Sequence, residues 1–216
     1  MQEKNTSEKR CRGRPQIRSD DETRDLILDA ANAQFMKAGY ASANISIIAQ
    51  AAGVSTKTLY RLYPAKADLF SEVISKKIND YILATDAEQL ANLPLHESLD
   101  KLLVSYGRLT LSNETITITR LVLGESDRFP EIAAVFYEQA IRKTSRTMEG
   151  WLQARVASGE IELADIPTAT GMLRGMMAME PQRAVMLGRI AGVADSEIVT
   201  RARACAQIFL EGTKRR

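Results

Sequence analysis

The stretch Ile45–Leu62, ISIIAQAAGVSTKTLYRL, carries the steric pattern of two short helices joined by a sharp turn. With Gly53 as the turn glycine, the missing Cβ admits the positive φ that such a turn needs. Ala49 falls four residues earlier, where the helices cross and a longer side chain would push them apart. Ile48, Ala52, Val54, Leu59 and Leu62 then occupy the inward positions that fill the angle between the helices. Ser55, Thr56, Lys57, Thr58 and Arg61 are left over, at the opening of the second helix. A helix-turn-helix lays that second helix in a DNA major groove, so sequence-specific DNA binding is the leading expectation.

Outward from this motif, helical signals cover almost the whole chain. Ser19 with Glu22 makes a capping box, and Ile27, Ala30, Ala31, Phe35 and Ala38 form one apolar stripe that Gly39 ends. That predicts helix one over 20–38. Asn44 is a cap for helix two (45–52), helix three covers 56–62, and helix four runs over 66–84. The pattern breaks at Asn92-Leu93-Pro94 and resumes over 96–111, 115–123 and 130–157, with Pro130 at a first helical position and Ser158-Gly159 closing the long segment. Two further helices, near 165–180 and 195–212, take Asp165 and Asp195 as caps. Pro181 predicts a break or kink near Met179–Gln182. Strand-like alternation and internal repeats are absent, so the fold class is all-α.

Composition agrees. A chain of 216 residues with 45% hydrophobic content can bury a sizeable core. Residues 1–18 hold six Lys/Arg against Glu3 and Glu8, a local charge of +4 in a chain whose total is only +2. Within that basic arm, Arg12-Gly13-Arg14-Pro15 has the form of a minor-groove hook: the glycine lets the backbone sit low, and a narrow groove favours arginine. The opposing reading is a solubilising tail. Cys11 and Cys205 lie at opposite ends and form no metal-spaced cluster, so neither a disulfide framework nor a metal site is expected. No apolar run reaches membrane-spanning length and the start is basic rather than signal-like, which predicts a cytoplasmic protein that does not enter a membrane.

The wider stretch from Gly39-Tyr40 to Phe70, GYASANISIIAQAAGVSTKTLYRLYPAKADLF, resembles the N-terminal domain of the tetracycline-repressor (TetR/AcrR) family. The marks are the Gly-aromatic pair, Ile48-Ala49, Ala52-Gly53-Val54-Ser55, Thr58-Leu59-Tyr60-Arg61, Tyr63-Pro64, Lys66 and Leu69-Phe70. Arg120–Tyr137, RLVLGESDRFPEIAAVFY, is similar to the second domain of one subgroup. The resemblance implies a basic arm (1–18), a helix-turn-helix head (19–66), a connecting helix (67–84) and an effector-binding and dimerisation domain (85–216). It also implies DNA contacts from Tyr60 and Arg61, and a phosphate held by Lys66 at the start of helix four. By side-chain chemistry, Thr56 and Lys57 reach base edges, the lysine favouring guanine O6 and N7 and the threonine methyl favouring thymine. Asn44, Ser55, Thr58, Arg12 and Arg14 complete the candidate DNA-binding set. Leu62 stands where the family often has a group able to reach DNA, so it is expected to pack inward. Ala65 and Ala67 replace the usual Ser and Glu, which predicts fraying of the first turn of helix four.

For the second domain, Leu103, Tyr106, Leu121, Phe136, Tyr137, Met172 and Met176 are candidate linings of a deformable apolar pocket, and Gly171 with Gly175 indicates close helix packing. Ile198, Ala202, Cys205 and Phe209 form a small-residue face for a partner subunit's helix. The expected partners are double-stranded DNA, a second copy of the chain and a small-molecule effector, with no cofactor or metal. Two other readings stay open. One is a DNA-binding factor without an effector. The other is an enzyme with a DNA-binding appendage, against which stand a single histidine, His96, and the lack of a phosphate loop, an HExxH or a dinucleotide-binding turn.

Overall fold

The computed structural model describes residues 18–84 and 87–213, with side chains throughout except at 83–88. The helices are α1 (Asp20–Ser42), α2 (Ile45–Ala51), α3 (Thr56–Leu62), α4 (Lys66–Ala84), α5 (Ala87–Ala91), α6 (Leu95–Thr110), α7 (Asn113–Glu125), α8 (Pro130–Phe136), α9 (Lys143–Ala157), α10 (Ile166–Met186) and α11 (Asp195–Thr213). A π-helical turn, Tyr137–Arg142, joins α8 to α9. The fold is all-α, an N-terminal helix-turn-helix unit followed by a larger helical assembly. Residues 1–17 of the basic arm, with Arg12, Arg14 and Cys11, lie outside the described residues.

Local signals set the ends of these elements. The Ser19 hydroxyl accepts from the Glu22 amide at 3.1 Å while the Glu22 carboxylate accepts from the Ser19 amide at 2.9 Å. Gly39, at φ 78° and ψ 174°, breaks α1 before its last residues. At α4 the absent serine cap is replaced from inside the helix, because the Asp68 carboxylate accepts from the Ala65 amide at 2.9 Å. The predicted fraying therefore has an answer in the sequence itself. Pro181 does not end α10, which runs unbroken from Ile166 to Met186. Pro181 is buried, and the backbone hydrogen bond lost is the single one back to the residue four earlier.

The interior falls into two apolar clusters that do not divide at residue 85. The first joins Ile27, Ala31 and Phe35 of α1, Ile48 and Ala49 of α2, Leu59 of α3 and Leu69 to Ile78 of α4. It continues into Ile118 and Val122 of α7 and Ile132 of α8, with Tyr40 edge-on to Phe70 (5.5 Å between ring centres) and to Phe129 (5.2 Å). The second joins Tyr81 of α4 with α6, α9, α10 and α11. Each fully buried Leu or Ile contributes roughly 1.5–3 kcal/mol, so both clusters are substantial. Helix α4 enters both, and its Ile82 packs against each.

The face of α11 expected to meet a partner is instead interior. Ile198, Ala202, Cys205 and Phe209 are buried in the second cluster, with α6 as the main neighbour of α11. The reason lies on α6: a Cβ at Gly107 would stand 2.7 Å from Ile198 Cγ2 and closer still to Met177, so only glycine lets α10 and α11 approach α6 this tightly. Periodicity identifies an apolar stripe and is silent about what covers it. The outward face of α11 carries Ala204 and Ile208, the latter 62% exposed.

Candidate nucleic-acid interface and effector cavity

The turn between α2 and α3 is built by three residues. Gly53 has φ 67°; its amide donates to the Gln50 carbonyl (3.1 Å) and the Val54 amide to the Ala49 carbonyl (2.9 Å), the paired bonds of a helix terminated by a left-handed glycine. Ala49 is buried at the crossing, as its size requires. The Ser55 hydroxyl then caps α3 by accepting from the Thr58 amide at 3.0 Å and shares a hydrogen bond with the Thr58 hydroxyl. Ser55 and Thr58 thus hold the helix start. Asn44 does the same for α2, accepting from the Ser46 amide at 2.8 Å.

What remains for solvent on α3 is Thr56, Lys57, Tyr60 and Arg61. Tyr60 is 50% exposed. Arg61 bonds Asp20 at 3.1 Å across the surface, a weak and salt-screened pair that a phosphate can displace. Leu62 turns inward against the first cluster, as its departure from the family pattern implied. Arg18 lies beside the turn, 3.7 Å from where a Cβ of Gly53 would stand, and adds a cation to this face that sequence reasoning had assigned to the arm.

Lys66, expected to hold a phosphate, is bonded within the chain. Its ammonium donates to the carbonyls of Ala41 (3.2 Å) and Ala43 (3.1 Å) and sits 4.7 Å from the centre of the Tyr40 ring. The ammonium closes the corner after α1, and burial pushes its pKa below the ordinary value. Beside it, the Gly39 kink presents the amides of Tyr40 and Ala41 to the Glu125 carboxylate at 3.0 and 2.7 Å. A Cβ on Gly39 would stand 2.6 Å from that carboxylate. Burial, then Glu131, raises the Tyr40 phenol to about 12. The other end of α7 is tied equally firmly, with Glu114 accepting from Asn32 of α1 (2.6 Å) and from Lys77 of α4. On its outer side Arg120 donates to the Val185 and Met186 carbonyls at the end of α10. Helix α7 is therefore a strut between the head and α10, a role invisible in the sequence because its partners lie up to 85 residues away.

A partly open cavity of about 300 Å³ lies between α4, α6, α7, the π-helical turn, α9 and α10, with exposed Gly171 and Met179 in its lining. Of the predicted lining, Tyr106 and Phe136 border it. Leu103 is core, Leu121 packs on the first cluster, Met176 on the second, and Tyr137 (51% exposed) and Met172 (65% exposed) face solvent. Apolar residues at helical spacing could not be told apart by destination. Gly171 and Gly175 also line it, and nothing lies within 4 Å of where their Cβ atoms would be, so they leave room and make no close helix contact within this chain. The π-helical turn contributes Ala140 and Ile141, and Ile78 of α4 closes the side nearest the head. Among the described residues no group of three or more His, Cys, Asp or Glu could hold a metal, and no helix is long and apolar enough to cross a membrane.

These features have counterparts in known proteins. Residues 27–73 match the family model for bacterial regulatory proteins of the tetR family, and residues 97–212 match that for the C-terminal domain of AefR-like transcriptional repressors. The chain belongs to the TetR family of transcriptional regulators. The repressor KstR from Mycolicibacterium smegmatis is 27% identical over 146 residues, 63% of this chain and 72% of that protein. A TetR-family transcriptional regulator from Mesorhizobium loti superposes with a TM-score of 0.80 at 23% identity, over 92% of this chain and 100% of the other. FadR from Bacillus subtilis, crystallised in complex with stearoyl-CoA, superposes with a TM-score of 0.67 at 22% identity, over 87% and 98%. As a TetR-family member, the chain is a DNA-binding transcriptional regulator.

Proposed function

We propose that this TetR-family regulator is a homodimeric repressor, released from a palindromic operator when a small apolar or amphipathic molecule enters the cavity beside Ile78. The observation that carries the reading is the cavity's position: it touches α4, which starts in the head, and α7, whose two ends are bonded to the head. The complex of FadR with stearoyl-CoA supports an effector in this fold without specifying its identity here. The dimer face belongs to α10 and α11, which pack side by side and leave Met172, Met179, Ala204 and Ile208 in solvent. Two heads joined there read two half-sites one DNA turn apart, with Thr56 and Lys57 at base edges and Arg18, Tyr60 and Arg61 at phosphates.

The test is a gel-shift titration on a selected operator at increasing salt. Several cationic phosphate contacts per half-site release counterions, so affinity falls by orders of magnitude between low and high salt, and the complex contains two chains. A one-chain complex or a flat salt slope contradicts this. A factor without an effector would show no thermal shift with any compound that fits the cavity.

A further inference from the structure

The cavity contains a single charged group. Arg174 of α10 is half-buried; its Nε donates to the Tyr106 hydroxyl at 3.1 Å and one terminal nitrogen donates to the Ser145 hydroxyl at 2.6 Å. Its guanidinium lies 5.5 Å from the centre of the Tyr106 ring. Both hydrogen-bond partners are neutral, and Arg174 makes no ion pair among the described residues. The rest of the lining contains no Asp, Glu, Lys or His. Arg108, Arg142, Arg155 and Arg201 of this half meet carboxylates, whereas Arg174, like Arg120, donates to neutral oxygens; Arg174 differs from Arg120 in lining this cavity. A partly desolvated cation without a counter-charge costs free energy, and an entering anion relieves that cost.

The surroundings favour the same complement. Thr110, Thr119 and Thr144 donate their hydroxyl protons to helix carbonyls at 2.7–2.8 Å, so that part of the wall presents methyl groups, while the Tyr106 hydroxyl, which accepts from Arg174 and keeps its own proton to give, and the Gln182 amide add donors beside the guanidinium. Gly171 and Gly175 flank Arg174 on α10 in helical backbone. Each costs about 1 kcal/mol relative to alanine in a helix interior, and what the pair provides is space beside the guanidinium. Phe136, Ile141, Ala178 and Met179 supply the apolar remainder.

We propose that the cavity takes a monoanionic organic acid whose carboxylate engages the unspent donors of Arg174 and whose apolar body lies against Phe136, Ile141 and Met179. This rests on the effector reading above. The planar guanidinium fork matches a carboxylate bidentately, which an amide or an alcohol cannot reproduce.

The probes are octanoate with octanamide and octan-1-ol, and cinnamate with cinnamamide, titrated calorimetrically into the full chain, Arg174→Gln and Arg174→Lys, with helicity and size checked by circular dichroism and gel filtration. The expected result is that the acids bind the unmodified chain at least tenfold more tightly than their neutral counterparts. Arg174→Gln loses that preference with neutral binding unchanged, and Arg174→Lys keeps part of it. Equal binding of acids and neutral compounds, no binding of either acid, or a preference that survives Arg174→Gln overturns the assignment. Neutral compounds that fill the cavity and release operator would sink the acid and leave the effector reading intact. Acids that bind through Arg174 without altering operator affinity would support the acid and remove the regulatory reading.

Discussion

Lys57 and Lys66 show how position divides the work of one residue type. Lys57 is exposed on the first turn of α3, while Lys66 is folded back onto the carbonyls of Ala41 and Ala43 and the face of Tyr40. Lys57→Ala is expected to cost about 1–3 kcal/mol on the preferred operator and far less on random duplex, measured as a ratio of the two affinities by fluorescence anisotropy. Lys66→Met is expected to cost about 1.5–3 kcal/mol of folding stability, read from denaturant midpoints, since it strips charged donors from two carbonyls. A Lys66→Met protein with an unchanged midpoint and uniformly weaker DNA binding would restore the phosphate role. The turn glycine, the caps and the small Ala49 were legible because each answers to neighbours within a few residues. Lys66 was not, because a lysine at a helix start has two customers, a phosphate outside and carbonyls more than twenty residues back, and sequence does not choose between them.

Among the elements, α7 carries the connection between head and cavity. Its Glu114 experiences two opposed effects: burial works to raise the carboxyl pKa, and the hydrogen bonds from Lys77 and Asn32 outweigh it and hold the group below its usual value. A carboxyl with a depressed folded pKa stabilises at neutral pH and loses that contribution as pH falls from the unfolded value, about 4.3, through the folded one. Glu114→Gln is therefore expected to be less stable than the unmodified chain at pH 7, and the difference should shrink toward zero as the medium is acidified. A gap that stays constant with pH, in parallel urea titrations, would show that the ion pair is not what ties α7 down. Helix boundaries were mostly legible from caps and prolines. Three features were not. The passage of α10 through Pro181 depends on burial, the inward turn of the Ile198–Phe209 stripe depends on Gly107 of another helix, and the cavity depends on side chains that Gly171 and Gly175 lack.

Across the protein as a whole three features combine: the exposed face of α3, a cavity reached by α4 and α7, and an outward apolar face on α10 and α11. The family and the all-α architecture were readable from the helix-turn-helix outward, since that motif is fixed by local sterics. The geometry between head and cavity was not, because it is set by contacts such as Glu125 to the Tyr40 and Ala41 amides that join distant parts of the chain. A ligand shifts such a system only by its differential affinity for two arrangements of the heads, typically by ~1–3 kcal/mol. Gly175→Leu is expected to mimic occupancy, because Gly175 lines the cavity and nothing lies within 4 Å of where its Cβ would stand, with the dimer checked by gel filtration.

The most direct test places a spin label at exposed Gln50, through Gln50→Cys in a chain with Cys11 and Cys205 replaced, and measures the distance between the two labels of the dimer. On operator DNA one narrow distribution is expected, reflecting recognition helices about one DNA turn apart, ~34–36 Å. In Gly175→Leu a displaced, broader distribution is expected together with weakened operator binding. Absence of any distance between subunits on the operator, or lost binding with the distribution unchanged, would contradict this coupling of cavity to heads.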